Sequence, residues 1–103
     1  MSGPEEFPAL EQFLGGYFHQ DWGLDFSDPE SLIHSFLERA EEEFVQDVIH
    51  DLESVLAVPR GEAEMKDLLF RRLGCYVEPS AFGQTYTQFA WWLRDVLRRG
   101  ISG

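Results

Sequence analysis

The sequence is poor in positive charge. Eight Lys and Arg stand against nineteen Asp and Glu over 103 residues, a formal net charge of -11. Proteins that bind nucleic acid carry a basic footprint, so this balance argues against direct phosphate binding and against docking on anionic lipid. Cysteine is almost missing. Cys75 stands alone, which forbids an internal disulfide and suits a reducing cytoplasm. No apolar run is long enough to span a bilayer. The opening residues, Met1 to Glu6, lack the basic and apolar regions of a secretory signal, so a cytoplasmic location is expected. Repeats, low-complexity tracts and period-two alternation are absent as well, which leaves strands without support. What remains is 44% hydrophobic and 15% aromatic, too apolar for disorder. The length suits one domain over residues 1–103, with residues 1–6 flexible.

Apolar residues recur at helical spacing. Pro8 opens a run with Leu10, Phe13, Leu14, Tyr17 and Phe18 on one face, and Gly15-Gly16 is expected to bend or stop it. His19 to Gly23 reads as a loop. Asp28-Pro29 is a helix start, with Asp28 as N-cap and Pro29 at the first helical position. Two stripes follow, Leu32, Ile33, Phe36, Leu37, Ala40 and then Phe44, Val45, Val48, Ile49, Leu52, Val55, Leu56. At about 100° per residue the second lies roughly 120° around the axis from the first. One straight helix cannot bury both, so a break is expected near residues 39–42. After the Val58 to Gly61 turn, Glu62 and Glu64 precede Arg71 and Arg72, an order that matches the helix macrodipole. Gly74 suits a left-handed position after a helix end. Residues 75–83 read as irregular. Thr85 and Gln88 form a capping box before Tyr86, Phe89, Ala90, Leu93, Val96 and Leu97, with Arg98-Arg99-Gly100 as the end. The expected fold is all-α, a compact bundle of about five short helices.

Candidate chemistry is sparse. His34 and Glu38 share a helix face, and Asp47 and Ser54 each share one with His50. Asp47-x-x-His50 is a single fragment of a di-iron pattern that needs two. His19-x-Asp21 is a possible acid–base pair in a loop. No Ser or Cys has a nucleophile setting and no phosphate loop exists. Cys75 is expected to pack beneath Tyr76. Trp91, beside Arg94 and Arg98, has the composition of a binding hot spot, but it is expected instead to cover residues 75–83 with an Arg stacked on its ring. No enzyme, metal site or cofactor is expected.

The charge is distributed unevenly. Residues 1–58 hold fourteen acids and one base, Arg39, a net of -13, whereas residues 59–103 carry +2. Glu43, Gln46, Asp47, His50, Asp51 and Ser54 cluster opposite an apolar stripe, and Glu38, Glu41 and Glu42 extend them into an acidic ridge. Uncompensated acids four apart, Glu43, Asp47 and Asp51, repel by a few tenths of a kcal/mol per pair. A basic partner relieves that repulsion and is steered by it.

The run Phe7 to Trp22 contains Gly15-Gly16-Tyr17-Phe18-His19-Gln20-Asp21-Trp22. Together with Leu73-Gly74-Cys75-Tyr76, Pro79 and Trp91-Trp92-Leu93-Arg94, it resembles the bacterial contact-dependent growth inhibition immunity proteins. The resemblance covers Phe7 to about Arg98. It implies a cytoplasmic antidote that binds the C-terminal toxin domain of a contact-delivered effector. Many such toxins are nucleases, and a nuclease offers a basic cleft that an acidic inhibitor can fill. The expected contacts are Glu38, Glu42, Glu43, Asp47, His50 and Asp51. The Gly15 to Trp22 stretch either fixes the fold, with Asp21 capping a backbone N–H and Trp22 burying its ring, or touches the partner. A monomer binding one toxin, without nucleic acid or membrane, is expected. Two rivals are an acidic nucleic-acid mimic acting on a host nuclease and a small metal-dependent enzyme using His19, Asp21 and His50.

Overall fold

A computed structural model describes residues 6–102, apart from the Ser102 side chain. The stretch expected to be flexible therefore lies, except for Glu6, outside the described residues. Six α-helices occur among the described residues: α1 (Pro8–Tyr17), α2 (Trp22–Asp25), α3 (Pro29–Arg39), α4 (Glu42–Ala57), α5 (Glu62–Lys66) and α6 (Tyr86–Ser102). A π-helical segment, Asp67–Arg72, continues α5, and a 3-10 turn spans Pro79–Phe82. No strand is present among the described residues. The five expected helices are there, and α2 adds a single turn that begins at Trp22, within the His19 to Gly23 segment read as a loop, and runs past it to Asp25.

Local chemistry sets most of the boundaries. The Asp28 carboxylate accepts from the Ser31 N–H at 2.8 Å, with Pro29 at the first helical position. Hydrogen bonds to Ser31 hold the Asp28 carboxyl below its ordinary range. The α3–α4 break falls at Ala40 and Glu41, both extended with ψ of 148° and 144°. Two differently directed helices then bury two stripes that one axis could not. Thr85 and Gln88 exchange the capping-box bonds at 3.0 and 2.9 Å. Gly74 sits at φ 75°, the left-handed conformation that costs most residues a clash at Cβ.

Two boundaries differ from the sequence expectation. Helix α1 runs through Gly15-Gly16 to Tyr17. A Cβ on Gly15 would lie 3.8 Å from the Leu73 carbonyl oxygen, and one on Gly74 would lie 3.5 Å from the Gly15 Cα. Both are ordinary contact distances, and Gly16 meets nothing within 4 Å. The helix ends where the Phe18 carbonyl turns to accept the Tyr76 N–H at 2.8 Å. Helix α6 likewise passes Gly100 and ends at Ser102. Gly100 lies against the Leu37 side chain, which a methyl group there would strike.

The core is one cluster drawing on α1, α3, α4, α5, α6 and the π segment. Phe13 is its hub. Its ring lies 4.3 Å from that of Phe36 and 5.7 Å from those of Tyr17 and Phe18. Phe36 reaches Phe44 at 6.0 Å, and Phe18 reaches Phe89 at 6.0 Å. These rings tie α1 to α3, α4 and α6. Such pairs contribute about 0.5–1.5 kcal/mol each beyond the area they bury. Helix α4 is held between α1 on one side and α6 on the other, and this leaves its third side to solvent.

Candidate partner-binding surface

The outward side of α4 carries Glu43, Asp47, His50 and Ser54, all exposed. Opposite them Val45, Val48, Ile49, Leu52 and Val55 are buried. The spacing of three and four puts both sets on their faces without further help. Glu42 flanks the crest and accepts from the Gln46 side chain at 3.3 Å. Glu38, at the end of α3, and Glu41 in the break are exposed too. Among the described residues no base pairs with Glu43 or Asp47. Neighbouring carboxylates one turn apart and without a counter-charge make this crest a source of negative field.

Asp51 was expected on the crest and does not stand there. It is half-buried, and its Oδ2 accepts the N–H groups of Ala9 and Leu10 at 3.0 and 3.2 Å. Phe7, the residue before α1, has no capping side chain. The first turn of α1 leaves N–H groups that need acceptors, and Asp51 supplies one from 42 residues away. A carboxylate also suits the positive end of the helix dipole. Glu62 plays the same part for α6. Its carboxylate accepts the N–H groups of Tyr86 and Thr87 at 2.6 and 3.3 Å.

His19 and His34 meet partners close to them in the chain. His34 pairs with Glu30 at 3.5 Å rather than with Glu38. His19 Nδ1 accepts the Asp21 backbone N–H at 3.1 Å, and so meets the main chain of Asp21. Among the described residues no three of His, Cys, Asp and Glu gather as metal ligands would. Cys75 is buried, and burial pushes its thiol pKa up to about 12. A thiol in that setting is inert.

Much of the Gly15 to Trp22 stretch holds the fold. Phe18 is fully buried, Tyr17 lies on Phe13 and Phe36, and Gly15 meets Gly74. The half-buried Trp22 donates its Nε1–H to the Tyr76 carbonyl at 3.4 Å and stands edge-on to Phe18. Asp21 makes no side-chain cap on α2, contrary to the expectation, and is exposed with Gly16 and Gln20. These contacts clamp residues 74–82 onto the end of α1.

The profile of the CdiI immunity protein family matches residues 6–99. This chain belongs to the CdiI immunity protein family. The match includes the Phe7 to Trp22 run, the Leu73 to Pro79 segment and the whole of α4, so the resemblance read from those motifs is borne out. A chain of the crystal structure of the CdiA-CT/CdiI complex from Y. kristensenii 33638 matches with a TM-score of 0.83 at 18% identity. The match covers 90% of this chain and 99% of that one. The two share their fold. No curated protein matches.

One part of this CdiI-family surface was not anticipated. Glu53, on the α6 side of the α4 crest, binds Arg98 at 3.0 Å and lies 3.9 Å from Arg94. Arg94 also holds Asp95 at 2.8 Å. Its guanidinium carbon lies 5.0 Å from the centre of the Trp91 ring, so the stacking expected of an Arg is present. Trp91 nevertheless remains 44% exposed. The ring that meets Phe82 of the irregular segment is Trp22, at 6.4 Å. A shallow cavity of about 210 Å³ between α4 and α6 is lined by Gln46, Ile49, His50, Glu53, Arg98 and Ile101. The sequence signal for this edge was Glu53 itself, four residues after Ile49 and so turned toward a packed neighbour.

Proposed function

We propose that this chain neutralises the C-terminal toxin domain of a contact-dependent growth inhibition effector by binding it one to one. It acts as a monomer, without catalysis, in the cytoplasm. The toxin is a nuclease whose basic cleft or its margin meets the α4 crest, with Glu38, Glu42, Glu43, Asp47 and His50 in contact. The observation that carries this reading is the pair Glu43 and Asp47, one turn apart, exposed, and without a base among the described residues. Family membership supplies the immunity role, and the acidic crest supplies a reason for the partner to be basic. Electrostatic complementarity of this kind raises association rates above the neutral range of roughly 10⁵–10⁶ M⁻¹s⁻¹.

The test is the double variant Glu43→Lys/Asp47→Lys against the toxin domain encoded beside this chain's gene. Association in low salt falls by about tenfold or more, and the wild-type rate drops toward that of the variant as salt is added. Cells expressing the variant lose protection while its melting curve stays unchanged. Full protection with an unchanged association rate refutes the assignment of this face.

A further inference from the structure

We infer that Trp91 is the anchor of the partner interface, and that the toxin domain offers it an apolar recess next to the basic surface facing α4. This rests on the reading of the α4 crest just given. Trp91 keeps 44% of its surface in water and is the largest of the exposed apolar side chains, with Leu24, Val58, Tyr76 and Phe82 the others among the described residues. The ring is also held in place. Arg94 lies over it at 5.0 Å, and Arg94 is itself fixed by Asp95 at 2.8 Å and approached by Glu53 at 3.9 Å. A side chain already ordered in the free protein loses little freedom on binding, which is the condition that lets it hold a partner tightly.

Charge decides what faces it. Arg94 and Arg98 are matched by Glu53 and Asp95, through contacts of 2.8 to 3.9 Å. Arg99, which donates to the Asp95 carbonyl at 3.3 Å, leaves this side of α6 weakly positive, whereas Glu43 and Asp47 make the crest beside it acidic. Glu53 lies between them, lining one shallow cavity with His50 of the crest and Arg98 of α6, so the two surfaces adjoin. A partner that fits them has basic residues over the crest and an apolar recess over Trp91. That is the usual division of an interface, with a desolvated aromatic centre and a charged rim.

The division makes separate kinetic demands. Rim charge governs encounter, and a buried anchor governs escape. The full chain is bound to the catalytically inactivated toxin domain encoded beside its gene, and association and dissociation are followed across a salt series. Trp91→Ala raises the dissociation rate about 30-fold or more, the equivalent of a hot spot, and changes association less than about threefold. Trp91→Phe falls between. The salt dependence of both matches wild type. A second measurement does not depend on a variant's fold. With 5-fluorotryptophan in all three Trp positions, the ¹⁹F resonance assigned to Trp91 shifts when the toxin domain is added.

An unchanged dissociation rate for Trp91→Ala and an unmoved Trp91 resonance overturn the inference. If Glu43→Lys/Asp47→Lys still slows association in that case, the crest reading stands alone. If neither variant alters binding, or the toxin domain does not bind wild type, both fall.

Discussion

Asp51 separates a structural carboxylate from a binding one. Replacing it by Ala strips the acceptor from the N–H groups of Ala9 and Leu10. The loss of a helix cap costs about 1 kcal/mol, and the loss of a favourable charge at a helix N-terminus about 0.3–1 kcal/mol. Hydrogen bonds to a charged group contribute about 1.5–3 kcal/mol. These figures describe overlapping effects, and the site is only half-buried, so about 2 kcal/mol is expected for Asp51→Ala. In a domain of this size that lowers the melting temperature by roughly 10 °C. Asp51→Asn keeps an acceptor oxygen and loses the charge, so it costs about 1 kcal/mol. Asp47→Ala, one turn earlier on the crest, stays within about 0.5 kcal/mol of wild type because only repulsion is removed. The assay is paired: urea and thermal unfolding by circular dichroism, then toxin-domain binding at a temperature below every melt. The expected result is an Asp51→Ala protein that melts early and binds normally. An Asp51→Ala protein that melts like wild type and binds weakly refutes the reasoning, and returns Asp51 to the interface.

Further outcomes follow from the packing. Cys75 resists a disulfide-exchange reagent at pH 8 in the native protein and reacts once urea unfolds it, with native labelling slower by about 100-fold or more, in line with a buried thiol. The folded thiol pKa of about 12 lies above the ordinary 9.0. Its contribution to stability is therefore complete below pH 9 and is lost as pH rises from 9 toward 12, which a urea midpoint at pH 10.5 against pH 8 measures. Gly16→Ala stabilises by about 0.5–1 kcal/mol, because Gly16 is helical with open space around it. Gly74→Ala destabilises by about 1 kcal/mol or more, because φ there is 75°. Denaturant midpoints of opposite shift confirm the pair.

What the sequence made legible was local. The Asp28-Pro29 start, the Thr85–Gln88 box, the left-handed Gly74 and the break at residues 40–41 all depend on side chains within a few positions of the backbone they fix. The apolar stripes were legible because their spacing is a property of one helix. The misreadings at Gly15-Gly16 and Gly100 share a cause. Glycine weakens a helix only by about 1 kcal/mol by propensity, and the buried Leu10, Phe13, Leu14 of α1 and Leu93, Val96, Leu97 of α6 hold their helices across it. The crest was legible in outline, since Glu43, Asp47 and His50 had only to face away from Val48 and Leu52. Asp51 was misplaced although a signal existed. It stands three residues after Val48 and four before Val55, both buried, so it shares their side of the helix. Nothing in the chain near Glu62 announced that it reaches Tyr86, because that partner exists only in three dimensions. Trp91 was expected to cover a loop on the ground that exposed tryptophan is costly, and the fold gave that place to Trp22.

The remote caps also order the events of folding. Asp28 to Ser31 closes over three residues, so the start of α3 can form as soon as the chain turns there, and α6 has the local Thr85–Gln88 box besides the remote Glu62. The start of α1 must wait for Asp51, which is 42 residues from Ala9. Closing so long a loop costs entropy that is recovered only when α4 is already a helix lying along α1. The N-terminal turn of α1 is thus expected to join late, which the chevron of Asp51→Ala against wild type measures. Breaking its cap speeds unfolding far more than it slows folding.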